Sequence, residues 1–272
     1  MYQIKNFLDN DDIRVADHKG NIRIVEYLTD LSVSLNTCIT QYYAARMNVR
    51  KRQALIELHD DEYVVSAGAM QWMVGNIQSV ADVKGVGDFL GKAIKGSVTK
   101  ESAVKPKYKG NGTLMLEPTY KHLLIEDVSN WGSGMVLDDG MFLACESKVN
   151  YNVIMRSNVS SALLGNQGLF SLKLSGNGLA VLESPVPREE LIEIELQNDV
   201  IKIDGNFAVA WSDSLDFTVE KSSKSLIGSA ISSEGLVNVY RGTGKILLAP
   251  VLSSTSSTLS SLNSLSSINT GK

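Results

Sequence analysis

The sequence predicts an all-β protein carrying a threefold internal repeat, built as a sandwich, barrel or prism with one short inserted helix. Three observations predict it. A glycine pair followed by an apolar run occurs three times at equal intervals: "GNGTLMLEP" from Gly110, "GNGLAVLES" from Gly176 and "GTGKILLAP" from Gly242. A second pattern lies between the pairs. "LDDGMFLACESKVNYNV" (137–153) and "IDGNFAVAWSDSLDFTV" (203–219) are offset by that same interval, and "LHDDEYVVSAGAMQWMV" (58–74) has the same length. The third observation is period-two alternation, which puts one set of side chains on one sheet face.

The elements follow in order. "IRIVEY" (22–27) alternates as a half-buried strand. The windows 58–116, 137–182 and 203–248 are expected to superpose, each closing on alternating residues such as Val149, Tyr151, Val153 and Leu215, Phe217, Val219. "HDDE" (59–62) reads as a solvated acidic turn, and Asp138 and Asp204 as equivalent hairpin-turn positions. "GLFSLKL" (168–174) and "GLVNVY" (235–240) precede the second and third glycine pairs, while "LIEIEL" (191–196) and "VIKI" (200–203) alternate cleanly. Gly110, Gly112, Gly176, Gly178, Gly242 and Gly244 are predicted structural turns or points of close backbone approach. The phase leaves half a unit at each end, so the strands near residues 22–47 and 235–248 are expected to meet.

Leu137 stands as far from Gly176 as Ile203 does from Gly242, but Leu58 stands further from Gly110. By this alignment the first unit holds extra chain after Val74. Val86, Phe89, Leu90, Ala93 and Ile94 there follow helical spacing, which predicts a helical insertion over 79–98. Residues 1–251 then form a single β domain. The remainder, 252–272, is Ser-rich and nearly uncharged, with Leu259, Leu262, Leu265 and Ile268 at a period of three that fits neither helix nor strand, so it is expected to be disordered.

Composition narrows the function. The chain has 272 residues, 43% hydrophobic and 21% charged, with a net charge of −4. That is an ordinary globular balance and argues against a nucleic-acid binder. No run reaches the roughly 18 apolar residues of a membrane helix, and the start lacks a signal-peptide core, so a cytoplasmic protein is expected. Cys38 and Cys145 read as two reduced thiols, Cys145 as a buried small hydrophobe. His18, His59 and His122 are scattered, so no metal site is expected. There is no nucleophile elbow, and G-x-G lacks the third glycine and following helix of a phosphate loop; no catalytic residue and no cofactor are expected.

The quoted motifs resemble the "altered inheritance of mitochondria" family, number twenty-four of that naming series (AIM-twenty-four). "GNGTLMLEP" with "VLDDGMFLACESKV" (136–149), "SAGAMQWMVGNI" (66–77) and "EGLVNVYRGTG" (234–244) carry the resemblance, over roughly residues 20–250. It implies three tandem TRAP-like units (similar to tryptophan RNA-binding attenuation protein) in a pseudo-threefold arrangement. It implies no catalytic residue. The chain departs from the pattern at Leu31, where a glycine pair is missing, and at Lys105, Pro106 and Lys107, which intrude on an apolar strand.

The expected function is a non-enzymatic scaffold or binding module of unknown ligand. A nucleic-acid-binding role by TRAP-like analogy and a small-molecule-binding enzyme are the alternatives. The candidate surface for a protein partner or a peripheral membrane contact is the lysine-rich stretch 84–109, with Phe89, Leu90, Lys92 and Lys95 as its contact residues. Oligomerisation is left open.

Overall fold

The computed structural model describes residues 2–80, 105–155, 170–221 and 236–251. The strands are β1 (Ile13–Lys19), β2 (Ile22–Tyr27), β3 (Arg52–Val65), β4 (Met70–Val80), β5 (Lys107–Leu116), β6 (His122–Asp127), β7 (Met135–Leu137), β8 (Phe142–Glu146), β9 (Val149–Met155), β10 (Phe170–Gly176), β11 (Leu179–Ser184), β12 (Ile192–Asp204), β13 (Ala208–Ser212), β14 (Asp216–Lys221) and β15 (Leu236–Leu248). Among the described residues one α-helix, α1 (Cys38–Arg46), stands between β2 and β3. The fold is all-β.

The strands form two sheets. One runs β1-β2-β3-β8-β11-β6, with β5 on β3 and β4 on β5; the other runs β12-β15-β13-β7-β10-β9, with β14 on β15. The first sheet curls until the chain entering β6 returns to the start of β3. There Arg52 and Thr119 exchange backbone hydrogen bonds of 2.8 and 2.9 Å. Alternation explains why β3 is buried on both faces: Ala54, Ile56 and Leu58 point into the curl, while Leu55 packs outside it with Phe7, Val25 and Met115. A larger cluster, including Trp131, Met135, Leu137, Leu172, Leu182 and Leu247, joins the two sheets. Each such buried aliphatic side chain contributes about 1.5–3 kcal/mol.

The same ladder pattern surrounds all three glycine pairs. Met115 pairs with Trp72, Val181 with Ala144 and Leu247 with Ala210, on the strand side that follows each pair. Ahead of the pairs, Lys109 faces Gln78, Ser175 faces Asn150 and Arg241 faces Asp216. This register equates Trp72 with Ala144 and Ala210. It therefore aligns Val65, not Leu58, with Leu137, which leaves correspondingly less extra chain before Gly110.

The acidic "HDDE", expected as a solvated turn, lies inside a strand. β3 runs through it as a β-bulge, with Asp60 at φ 64° and the register shifting opposite Gly110. Asn198, at φ 52°, marks the matching bulge of β12 opposite Gly242. In the middle segment the bulge is replaced by the longer "VSNWGSG", whose Val128–Trp131 forms a 3-10 turn. The strand then breaks at Gly176–Gly178, and β10 and β11 enter different sheets.

Three further expectations are corrected. Lys105 to Lys107 do not prevent strand formation, because β5 starts at Lys107 and pairs with both β3 and β4. Ser79 and Val80, placed in the inserted helix, belong to β4, and the rest of that insertion lies outside the described residues. Among the described residues the chain ends do not close by strand pairing: β2 pairs with β1 and β3 in one sheet, whereas β15 pairs with β12, β13 and β14 in the other. The tail 252–272 also lies outside the described residues.

Candidate interaction surface

α1 is nine residues long and buries none of them. So short a helix is marginal in water on propensity alone, so something other than core packing must hold it. Its C-terminus is closed by a Schellman motif. Asn48 takes the left-handed conformation at φ 63°, Val49 N–H donates to Ala44 O at 2.9 Å, and Asn48 N–H donates to Ala45 O at 3.3 Å.

The anchor continues into a buried ionic cluster. Arg50 Nε donates to Ala45 O at 3.0 Å, placing a cation at the negative helix end. Arg52 Nη2 donates to Asn48 O at 3.0 Å and to its side-chain oxygen at 2.7 Å. Both guanidinium groups also hold Glu26, Arg50 at 2.9 Å and Arg52 at 2.8 Å, and Arg14 joins at 2.8 Å. Glu26 is only 2% exposed. Burial pushes its carboxyl up, but the Arg50 hydrogen bond and the charges of Arg52, Arg14 and Arg50 outweigh this and hold it below the usual range. One carboxylate thus ties β1, β2, β3 and the helix end together.

The anchored helix and the turns before it hold apolar side chains outward. Leu35 is 89% exposed, Ile39 71% and Met47 77%; Leu31 and Tyr43 are exposed too. Ile39, Tyr43 and Met47 recur every fourth residue, which on a helix places them on one face. Such a cluster is what an isolated soluble surface avoids and a binding surface displays.

The other face of α1 borders a cleft of about 450 Å3, lined by Tyr27, Asp30, Cys38, Tyr42, Lys51 and Tyr120 among others. Arg46 lies over the Tyr42 ring at 5.2 Å and donates to its hydroxyl at 3.0 Å. Lys51 and Asp30 pair at 2.5 Å. The Lys51 hydrogen bond, followed by that of Ser32, takes the Asp30 carboxyl down to about 2, and the same contact raises Lys51. Burial raises the Tyr27 phenol.

A second cleft, of about 520 Å3, follows the seam where β6 approaches β1 and β2. His122 lies there beside Arg52. Burial, with the Arg52 charge adding, lowers its pKa to about 4, so the ring is neutral at pH 7. Among the described residues no group of three or more His, Cys, Asp and Glu side chains could hold a metal ion. None of the helices there is long and apolar enough to cross a membrane.

The residues that the sequence pattern points to lie elsewhere. Phe89, Leu90, Lys92 and Lys95 are outside the described residues. Of the lysine-rich stretch, Lys105 is buried over the Phe142 ring at 5.2 Å, and Lys107 pairs with Glu62 at 3.5 Å. Gly110 and Gly112 lie in β5, Gly176 ends β10, Gly178 precedes β11, and Gly242 and Gly244 lie in β15. Asp138 follows β7 before a turn, and Asp204 ends β12 before a bend. The repeat and its glycines give no pointer to α1 or its anchor. The signal that does is the spacing of Ile39, Tyr43 and Met47, with Asn48 behind them.

The family described as mitochondrial biogenesis AIM24 matches residues 46–251. An uncharacterized protein of Streptococcus pyogenes serotype M6 is 27% identical over 197 residues, 70% of this chain and 77% of that protein. A crystal structure of another S. pyogenes protein is similar with a TM-score of 0.57 and 20% identity, covering 89% of this chain and 99% of that one, a likeness of fold. The matched family segment contains Arg50 and Arg52, whereas Glu26 and α1 up to Ala45 precede it.

Proposed function

The chain belongs to the mitochondrial biogenesis AIM24 family, and from that premise we propose that it is a non-enzymatic binding module that presents the outward face of α1 to an apolar groove on a partner protein. The supporting observation is the helix itself. It buries nothing, yet it is fixed through Ala45, Asn48, Arg50 and Arg52 to buried Glu26. A helix held by its end, with Ile39, Tyr43 and Met47 exposed along one side, suits helix-in-groove recognition, where anchors one helical turn apart enter one groove. Prior ordering of the helix lowers the entropy lost on binding.

The double variant Ile39→Asp/Met47→Asp tests the reading. Both side chains are exposed, so thermal stability should match that of the parent protein. In native extracts the parent protein should migrate in an assembly larger than the purified protein forms alone, and the variant should migrate as the purified protein does. A variant that stays in the same assembly contradicts the proposal.

A further inference from the structure

We infer that the free edge of β4 pairs with β4 of a second copy, making an antiparallel two-fold dimer through a continuous sheet. β4 is eleven residues long and, among the described residues, takes backbone hydrogen bonds from β5 alone. Among the described residues its outer edge therefore presents a row of unpaired N–H and C=O groups, the template on which another strand forms.

The sequence of this edge selects the occupant. "MQWMVGNIQSV" contains no charged residue and no proline. Soluble proteins ordinarily blunt a long edge with charge, and this chain does so elsewhere. β12 carries Glu193, Glu195, Asp199, Lys202 and Asp204; β14 carries Asp216, Glu220 and Lys221; β1 carries Arg14, Asp17 and Lys19. β9 is also uncharged, but it is only seven residues long.

Antiparallel pairing of two β4 strands about Gly75 sets Met70 against Val80, Trp72 against Gln78 and Met73 against Ile77, with no like charges opposed. A two-fold contact of this kind is self-complementary and closes, so it yields a dimer and not a filament. Met73 and Val80, with Tyr2, Ile4 and Leu8 of the N-terminal segment, are exposed. Tyr2 reaches the same hairpin, its hydroxyl 2.7 Å from Thr113 Oγ1.

Sedimentation equilibrium combined with hydrogen exchange tests the dimer on the full chain. The expected results are a dimer with a Kd at or below about 10 μM, and amides of 70–80 that exchange at least tenfold more slowly in the dimer than in the diluted monomer. Met73→Lys/Val80→Lys should remain monomeric while melting like the dilute parent protein; Ser79→Lys, at another exposed position, is the second variant should that pair fail to fold. A parent protein that stays monomeric overturns the inference. So does a dimer that these lysines leave intact, or one whose slowed amides lie in β9, β12 or α1.

Discussion

Glu26 and Arg52 sit directly opposite each other in the β2–β3 ladder, both buried, with carboxylate and guanidinium 2.8 Å apart. Removing one partner of such a pair leaves a buried charge uncompensated, and here Arg14 and Arg50 would also lose their counter-ion. Glu26→Gln should therefore destabilise the protein by about 3–5 kcal/mol, read from urea unfolding at pH 7. Hydrogen exchange should accelerate first at residues 44–49. Because the folded carboxyl is held low, this stabilisation is complete above the unfolded value near 4.5 and is lost only as pH falls below it.

His122 gives a separate pH dependence. Its folded pKa of about 4 lies below the unperturbed value of 6.5, so the unfolded chain binds a proton that the folded one refuses. Stability should fall as pH drops from 6.5 towards 4, by less than the roughly 3 kcal/mol of the full shift because solvent screens the half-buried ring. His122→Phe should flatten the slope between pH 7 and pH 5. An unchanged slope would place its origin elsewhere.

The glycine pairs differ in what they tolerate. A Cβ on Gly110, at φ 138°, would lie 2.0 Å from Asn76 O, a backbone atom that cannot swing away. At Gly242, φ 121°, the nearest atom is 3.4 Å off. Gly110→Ala should cost more than about 2 kcal/mol, and Gly242→Ala about 1 kcal/mol from backbone strain. Equal losses in thermal melts would contradict the geometry.

The two thiols should react unequally. Cys145 is fully buried in β8, and burial lifts its thiol to about 12. Cys38 sits on α1 at the rim of a cleft. Ellman's reagent should titrate one thiol in the native protein, two in denaturant and none in native Cys38→Ser. Two native thiols would place Cys145 nearer the surface.

Much of the sheet structure is legible in the sequence. "IRIVEY" forms β2 because its alternation survives in any half-buried strand, and the spacing of Gly176 and Gly242 matches the shared ladder pattern. "HDDE" reads as a turn and folds as a bulge because aspartate favours either. Asp61 satisfies the kink, its Oδ2 accepting from His59 N–H at 3.4 Å and from Asn21 Nδ2 at 2.9 Å. The division into two sheets is hidden, since it turns on "VSNWGSG" widening one bulge into a 3-10 turn. α1 is hidden for another reason. Helix signals assume a face packed on the core, whereas this helix faces outward and is held by arginines that follow it and by a glutamate back in β2.

That outward face is the centre of the proposed function, and photo-crosslinking tests it most directly. A photoreactive amino acid placed at Tyr43, and in parallel at Glu195 on β12 as control, would be activated in the native cell. The expected result is one discrete protein adduct from position 43 that is absent from position 195 and is lost when Ile39→Asp/Met47→Asp is combined with it. No adduct from position 43, or the same adducts from both positions, would contradict it.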